Sequence, residues 1–245
     1  MQALKLEIEN FSDNNPYKIS TEENANTGEY SIALTHPELA NAIPAVLTFG
    51  DFVNNLRACL DYLAWQLVIQ NGQIPTMETC FPISYRGNHD GRRMISRAVA
   101  CMSDAAVSII DSFQPYHAGD DYKLSHLWRL ATLCNIQKHR QVSPFATQPP
   151  WQFCLKGDPL REAWTVRNEQ IDNCTVMYFP LAAKDYIEFN PEGTKADLRF
   201  IDSEEGIDVG YQDLLEMYNF VTNEVIPSFE SIFSNPDVPW HSPQG

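Results

Sequence analysis

The chain has 245 residues, 44% of them hydrophobic and 20% charged, which is an ordinary composition for a globular protein of one large domain or two small ones. Its formal net charge of −15 disfavours broad, non-specific binding to duplex nucleic acid. The charge is uneven: residues 1–50 carry 2 basic and 7 acidic side chains, residues 51–140 carry 9 and 8, and residues 141–245 carry 6 and 17. Only the middle third therefore offers a neutral or locally positive surface. The charge balance is compatible with an RNA contact that is limited to this surface.

Over residues 2–72 the sequence pattern predicts a short helix, a β-hairpin and a longer helix. Apolar residues recur on one side of a short helix over residues 2–12. The alternating segments 17–21 and 29–34 flank a polar Asn/Thr/Gly turn, which predicts a β-hairpin. A longer amphipathic helix follows over residues 44–71, and Gly72 ends it.

Three further helices are predicted. One spans about residues 91–113, with Asp90 as its N-cap, and the next spans about 121–141. A last helix covers about 208–233, and Pro227 kinks it or ends its first part. Between the helices 121–141 and 208–233, the pattern predicts short strands at 152–156, 163–168, 174–179, 185–189 and 196–201.

These elements predict an α+β fold. Residues 44–141 form a helical bundle that the helix 208–233 closes, and the β-rich segment 151–201 forms a small antiparallel sheet before that last helix. The sheet lies between bundle helices in sequence, so we expect residues 1–234, with the N-terminal hairpin, to form one cooperative domain. Residues 235–245, rich in proline and polar residues, are expected to be a flexible tail.

Location and cofactors are constrained by composition. Charge breaks every apolar run well short of the roughly 18 residues that suggest a membrane span, and the start MQALKLEIENF lacks the apolar block of a secretory signal. The six cysteines include no C-x-x-C pair and no cluster with zinc-ligand spacing. We therefore expect a cytoplasmic protein with reduced thiols, no membrane contact, no metal and no other cofactor.

Arg57 and Asp61 are the first candidate functional residues. They lie four residues apart, opposite the apolar stripe of the helix 44–71, and therefore face each other along one helix edge. Trp65 and Val68 lie on the same side, which gives the helix a second apolar face. Three interpretations stay open: a structural ion pair, a dimer contact and a functional site.

The segment 133-LCNIQKHRQV-142 carries the second group of candidates. Asn135 and His139 lie four apart on one side of a helix, and Lys138 and Arg140 flank the histidine. A histidine with a pKa of about 6.5 suits a general base beside a ribose hydroxyl, and a lysine or arginine suits the charge of a phosphorane-like transition state. Cations at a helix C-terminus also complement the helix dipole, so helix-end capping explains the same pattern.

A third cluster, 89-HDGRR-93, lies where a loop meets a helix. Its two arginines, Arg92 and Arg93, are able to meet an anion, but arginines at such a junction are usually solvated.

Four segments together resemble a widespread family of uncharacterised bacterial proteins. They are 49-FGDFVNNLRACLDYLAWQLV-68, 80-CFPIS-84, 114-QPY-116 and 135-NIQKHR-140. The family carries a G-D-x-x-H-N-L-R-x-x-L-D-H-L-x-W helix, an F-P-I connection, an L-Q-P-Y turn and an N-I-D-K-H-R helix, and the similarity covers about residues 16–142. This chain departs from the pattern at Asn54, Tyr62 and Gln137, where the family has two histidines and an aspartate.

The family is in turn distantly similar to the HEPN helical domains of toxin–antitoxin and phage-defence systems. That resemblance implies a dimeric, metal-independent endoribonuclease in which R-x-x-x-x-H residues of two protomers meet in one cleft. His139 matches the histidine and Asn135 the polar residue after the arginine, but Cys134 stands where the arginine belongs. A thiol cannot replace a guanidinium, so either Arg140, Lys138 or Arg57 supplies the charge or the domain is a non-catalytic member.

Three hypotheses follow. The first is an RNA-associated or interaction module, related to a defence or toxin system, with little or no catalytic activity. The second is a metal-independent endoribonuclease that uses His139 with Arg140, Lys138 or Arg57. The third is a structural or assembly protein in which Asn135, His139, Arg57 and Asp61 form a buried polar network. All three are compatible with a homodimer, with an RNA or protein partner, and with no binding to duplex DNA.

Overall fold

The computed structural model describes residues 1–14, 17–139, 142–147, 153–155, 167–171, 174–189 and 197–234, and it confirms the α+β class. The chain divides into two compact units, Met1–Thr48 with Ser143–Ile201 and Phe49–Val142 with Asp202–Gly245. The helical core predicted over 44–141 and 208–233 corresponds closely to the second unit. Cooperative folding of residues 1–234 stays a prediction, and the predicted tail 235–245 lies outside the described residues.

The first unit is built on a four-stranded antiparallel sheet. Its strands are β1 (Lys18–Asn24), β2 (Glu29–Thr35), β5 (Arg167–Ile171) and β6 (Cys174–Pro180), in the order β1-β2-β6-β5. The predicted hairpin is thus confirmed, and it pairs with a strand about 140 residues later, as in the register of Ile32 opposite Met177. Alternate residues of β2 are buried, because one face of the sheet contributes its side chains to an apolar cluster. The cluster contains Tyr30, Ile32, Met177, Phe179 and Ala183.

Helix α1 (Gln2–Asn14) and four short strands complete this unit. The helix buries Leu4, Ile8 and Phe11, as its periodicity predicts. Strand β3 (Ser143–Thr147) pairs with β8 (Asp197–Asp202), and β4 (Phe153–Leu155) pairs with β7 (Ile187–Phe189). Strand β3 is not among the strands that the sequence predicted. The Tyr17 hydroxyl donates a hydrogen bond to the carbonyl oxygen of Ala146, 3.0 Å away, inside this unit.

The second unit is mainly helical. Its helices are α2 (Ile43–Gln70, of which the part from Phe49 belongs here), α3 (His89–Ala98), α4 (Asp104–Ser112), α5 (His126–His139), α6 (Tyr211–Phe220) and α7 (Glu230–Phe233). Gly72 ends α2 as predicted: its φ of +67° is in the left-handed region, and its N–H donates to the carbonyl oxygen of Ile69. A short strand β9 (Ile207–Val209) precedes α6. After α6 a turn of π-helix (Val221–Val225) leads to a 3-10 turn (Pro227–Phe229), in agreement with the break expected at Pro227.

Two predicted helices differ from the structure. The helix expected over 91–113 is two helices, because the Ser103 side chain accepts a hydrogen bond from the Ala106 N–H and starts α4. The N-cap of α3 is Asn88 rather than Asp90, and its side chain accepts from the Gly91 N–H. The helix expected over 121–141 begins only at His126, because residues 115–124 form 3-10 turns.

The extended connection 80–84 is held in place by one buried glutamine. The Gln114 side chain accepts a hydrogen bond from the Ser84 N–H and donates to the carbonyl oxygens of Pro82 and Ile110. This side chain replaces the strand partner that an extended segment normally has, so the segments CFPIS and QPY are packed together. No helix in the described part of the chain is long and apolar enough to span a membrane.

Candidate functional site

The predicted site residues of α5 lie on its exposed side. Asn135, Lys138 and His139 are exposed, and His139 is the last residue of the helix. The apolar residues of α5 that are buried in the core include Leu127, Leu130, Leu133 and Ile136. Within the described residues the side chains of Asn135, Lys138 and His139 form no hydrogen bond. Arg140 lies outside the described residues, so its place in the site stays a prediction.

Cys134, which stands where the HEPN motif has an arginine, points into the core. Its side chain is 2% exposed, and the thiol donates to the carbonyl oxygen of Val53, 3.5 Å away. Burial raises the pKa of the Cys134 thiol to about 11, although the nearby charges of Arg57 and Lys138 lower it. Cys134 is therefore a neutral packing residue and supplies no reactive group to the site.

Arg57 and Asp61 form an ion pair that holds Phe81. The Arg57 Nη2 donates to Asp61 Oδ1 at 2.9 Å and to the carbonyl oxygen of Phe81 at 2.6 Å. Asp61 Oδ1 also accepts from the Phe81 N–H at 3.0 Å. The pair therefore satisfies both backbone groups of a fully buried phenylalanine and fastens the connection 80–84 to α2.

The third hypothesis needs a correction. The buried polar network expected from Arg57, Asp61, Asn135 and His139 is not formed as predicted, because Asn135 and His139 are exposed. The network that does exist joins Arg57 and Asp61 to the backbone of Phe81 instead. It links α2 to the connection 80–84, whereas the expected network linked α2 to α5.

The Arg57 pocket, of ≈ 360 Å³, lies beside this ion pair. Its polar lining comes from Arg57, Asp61, Asn135 and Lys138, four of the six predicted site residues. Apolar side chains, including Phe81, Pro82 and Met94, supply the rest of the wall. The Nη1 atom of Arg57 is buried and forms no hydrogen bond within the described residues.

The His139 pocket, of ≈ 460 Å³, is lined by aromatic side chains. Tyr85 stacks on Tyr122 with ring centroids 5.0 Å apart, and Tyr122 meets Trp128 edge-on at 5.6 Å. The Lys123 ammonium lies 5.5 Å from the Trp128 ring centroid, within the range of a cation–π interaction. Asn135, His139 and Glu205 supply polar groups to the same pocket.

The two pockets separate the predicted base from two of the predicted cations. His139 lines the aromatic pocket, whereas Arg57 and Lys138 line the other. Asn135 contributes to both, because it lies between Lys138 and His139 on the exposed side of α5. Within one chain, the structure therefore brings His139 together with aromatic rings and Lys123, rather than with Arg57.

Tyr85, Tyr122 and Lys123 were missed as site residues by the sequence analysis. Tyr85 follows the connection 80–84, and Tyr122 and Lys123 belong to the 3-10 turns before α5. No local periodicity links these segments, and only their packing around Trp128 brings them together. The one available signal was that tyrosines flank both the F-P-I connection and the QPY turn.

Comparisons with known proteins add no further assignment. A scan against protein-family models finds no match, and neither a search of curated proteins nor one of solved structures finds a similar chain. Among the described residues, no group of three or more His, Cys, Asp or Glu side chains is arranged to hold a metal ion. The resemblance to HEPN domains thus stays an expectation, and the site has to be interpreted from its own geometry.

Proposed function

We propose that this protein is an RNA-associated module of the HEPN-like type with little or no catalytic activity, and that it contacts single-stranded RNA at the His139 pocket. The observation that carries the proposal is the series of packed aromatic rings beside a lysine in that pocket. Unstacked bases bind proteins by stacking on aromatic rings, while lysine and arginine neutralise the adjacent phosphates. The volume of the His139 pocket, ≈ 460 Å³, falls in the range of about 300–1,000 Å³ that is usual for ligand pockets.

The remaining polar groups fit the recognition of a base. Asn135 offers an amide that both donates and accepts hydrogen bonds, as the edge of a base requires, and His139 adds an imidazole. Arg86, whose guanidinium carbon lies 5.2 Å from the Tyr85 ring centroid, supplies a further cation beside the pocket. The acidic chain restricts RNA to such a local contact, because its net charge of −15 repels an extended phosphate backbone.

Three features support a non-catalytic role. Cys134 is a buried neutral thiol where HEPN nucleases have an arginine. His139 has no hydrogen-bond partner among the described residues that would hold its ring in one orientation, and Arg57 is engaged with Asp61 and Phe81 in another pocket. A general base works efficiently only when it is positioned beside the proton it removes.

An endoribonuclease is the alternative, and one observation favours it. His139 and Asn135, the two residues that match the HEPN motif, line one open pocket together. In that case Lys123 or Arg140 would have to neutralise the phosphate, or Arg57 and Lys138 would have to come from a second copy of the chain. A homodimer stays part of the proposal, with the exposed Tyr62 and Trp65 of α2 as its candidate contacts.

RNA binding and cleavage are tested together. Labelled single-stranded RNA is titrated with the wild type, Tyr85→Ala and Lys123→Ala, and total RNA is incubated with the wild type and His139→Ala in EDTA. Tyr186→Ala and His89→Ala are matched controls, because both side chains are exposed and lie outside the pocket and the candidate dimer contacts. Base stacking contributes about 1–3 kcal/mol per base, so we expect Tyr85→Ala to weaken binding by about 5- to 150-fold and the controls to leave it unchanged.

The outcomes distinguish the hypotheses. Binding that depends on Tyr85 and Lys123, without cleavage, supports the module. Cleavage by the wild type that His139→Ala abolishes at equal melting temperature replaces the module with the nuclease. A wild type that neither binds nor cleaves single-stranded RNA refutes both and leaves the structural or assembly role.

A further inference from the structure

A groove separate from the His139 pocket runs along helix α3. It has a volume of ≈ 590 Å³ and lies between the segment 77–80 and one flank of the helix. The helix supplies Asp90, Arg93, Met94, Arg97 and Ala98, which recur at intervals of one, three and four residues and so form a continuous flank. The other flank of α3 packs inward through Gly91 and Ile95. The α3 residues that line this α3 groove therefore follow the regular spacing of one flank of a helix.

Two exposed apolar side chains, Met77 and Met94, line the α3 groove. Met77 is fully exposed, and Met94 is 46% exposed, although both are large apolar residues. Methionine is flexible and polarisable, and it is over-represented at protein surfaces that bind varied apolar partners. Cys80, Met94 and Ala98 also line the Arg57 pocket, so the apolar surface continues past one end of the groove. Apolar surface of this kind is a feature of interaction sites.

Two arginines, Arg93 and Arg97, line the α3 groove together with Glu78 and Asp90, so the groove is locally neutral in a strongly acidic protein. Residues 86–97 contain four arginines and one aspartate, whereas the whole chain has a net charge of −15. Arg93 forms no ion pair within the described residues. Arg97 meets Glu78 at 3.7 Å, but both side chains are about 60% exposed, so this pair is weak and easily exchanged for another carboxylate. The arginines therefore remain available to an acidic partner.

We propose that the α3 groove is a docking site for a partner peptide that presents apolar anchor residues flanked by carboxylates. An amphipathic helix is the form that matches the groove, because its side chains at intervals of three and four residues meet a flank with the same spacing. The apolar anchors would pack on Met77 and Met94, and the carboxylates would pair with Arg93 and Arg97. Charge complementarity of this kind steers association and selects the partner.

A peptide explains the lining better than an RNA backbone does. Glu78 and Asp90 lie among the arginines, so a continuous line of phosphates would meet both carboxylates, whereas a peptide places its carboxylates only opposite Arg93 and Arg97. A phosphodiester backbone also has no apolar group to place on two methionines. The site is independent of the His139 pocket, because the two share no lining residue.

Three fluorescein-labelled peptides of about 15 residues test the proposal. All have one alanine-based helical sequence: the first carries leucines at helical spacing with flanking glutamates, the second has lysines for the glutamates, and the third has alanines for the leucines. Anisotropy gives the dissociation constant of each for the wild type, Arg93→Glu, Met94→Asp and the control Arg92→Glu. Arg92 is exposed on α3 but does not line the groove, so it matches Arg93 in charge and helix.

We expect the leucine–glutamate peptide to bind the wild type at least about 10-fold more tightly than the alanine peptide, since each buried leucine contributes about 1.5–3 kcal/mol. It should also bind more tightly than the lysine peptide, because lysines meet Arg93 and Arg97 with the same sign of charge. Met94→Asp should weaken that binding at least about 10-fold. Arg93→Glu should reverse the preference between the glutamate and lysine peptides, and Arg92→Glu should leave the order unchanged.

Oxidation by hydrogen peroxide locates the bound peptide without any variant. Exposed methionine is converted to its sulfoxide, so the peptide should protect Met77 and Met94 but not Met1. The proposal is overturned when none of the peptides binds at about 1 mM, or when binding leaves Met77 and Met94 unprotected. Protection of these methionines by single-stranded RNA and not by peptide would make the groove a nucleic-acid track instead.

Discussion

The ion pair of Arg57 and Asp61 leads to a quantitative prediction, because it is the only tie from α2 to the backbone of Phe81 recorded among the described residues. Asp61→Ala removes the acceptor of the Phe81 N–H and the partner of a half-buried guanidinium. A buried donor without an acceptor costs about 1–3 kcal/mol, and the lost ion pair adds to this. The Asp61 side chain is 39% exposed, so water reaches part of the site and reduces the penalty. We expect Asp61→Ala to lower the free energy of unfolding by about 2–3 kcal/mol.

Two companion variants separate the contributions. Asp61→Asn keeps an oxygen for the Phe81 N–H but removes the charge, so its cost should be about 1 kcal/mol. Arg57→Ala leaves the Phe81 carbonyl oxygen without its donor, and the double variant should cost less than the sum of the two single variants by about 1–2 kcal/mol. That coupling identifies a shared network rather than two independent contacts.

The control is a second ion pair with the same spacing. Lys5 and Glu9 lie four residues apart on α1 at 3.6 Å, with both side chains more than half exposed and no hydrogen bond recorded to a distant backbone group. Glu9→Ala should therefore cost at most about 0.5 kcal/mol. Urea denaturation followed by tryptophan fluorescence measures both variants, and Asp61→Ala should also lower the melting temperature by about 5–10 °C. A cost for Asp61→Ala no larger than that for Glu9→Ala would refute the assignment.

Three other predictions concern a close contact and two titrating groups. Gly91→Ala should lower the melting temperature, because the added Cβ would lie 1.9 Å from the carbonyl oxygen of Arg86. Such overpacking costs about 1–3 kcal/mol. Thermal denaturation measures the melting temperature, and an unchanged value would contradict the prediction. Burial raises the pKa of Cys134 to about 11, so a thiol reagent at about pH 8 should label Cys59, which is exposed, and reach Cys134 only after unfolding, as peptide mapping will show. Burial raises the pKa of Tyr17 to about 12, so the folded state binds the hydroxyl proton more tightly than the unfolded state does. The stability that this provides is complete below about pH 10 and is lost as the pH rises towards 12. Denaturation curves of Tyr17→Phe should therefore show a smaller loss of stability over that interval.

Local patterns predicted most helices and strands, and the misses have local causes. The helix expected over 91–113 ignored Ser103, which is a good N-cap and starts α4. Strand β3 was missed because Pro144 suggested a break, although proline is tolerated in a short strand at a sheet edge. The 3-10 turns of residues 115–124 were assigned partly to α5, since their composition differs little from that of a helix start.

The sequence by itself determined the class of the fold and the helical spacing of Asn135 and His139. Periodicity and capping act over a few residues, so they are sufficient to place the hairpin, the helical core and the spacing of Asn135 and His139. Tertiary structure alone decided which distant segments meet. It joined β2 to β6, stacked Tyr85 on Tyr122, and placed His139 and Arg57 in different pockets. These contacts depend on the packing of segments far apart in the chain, and local propensity contains no information about their partners.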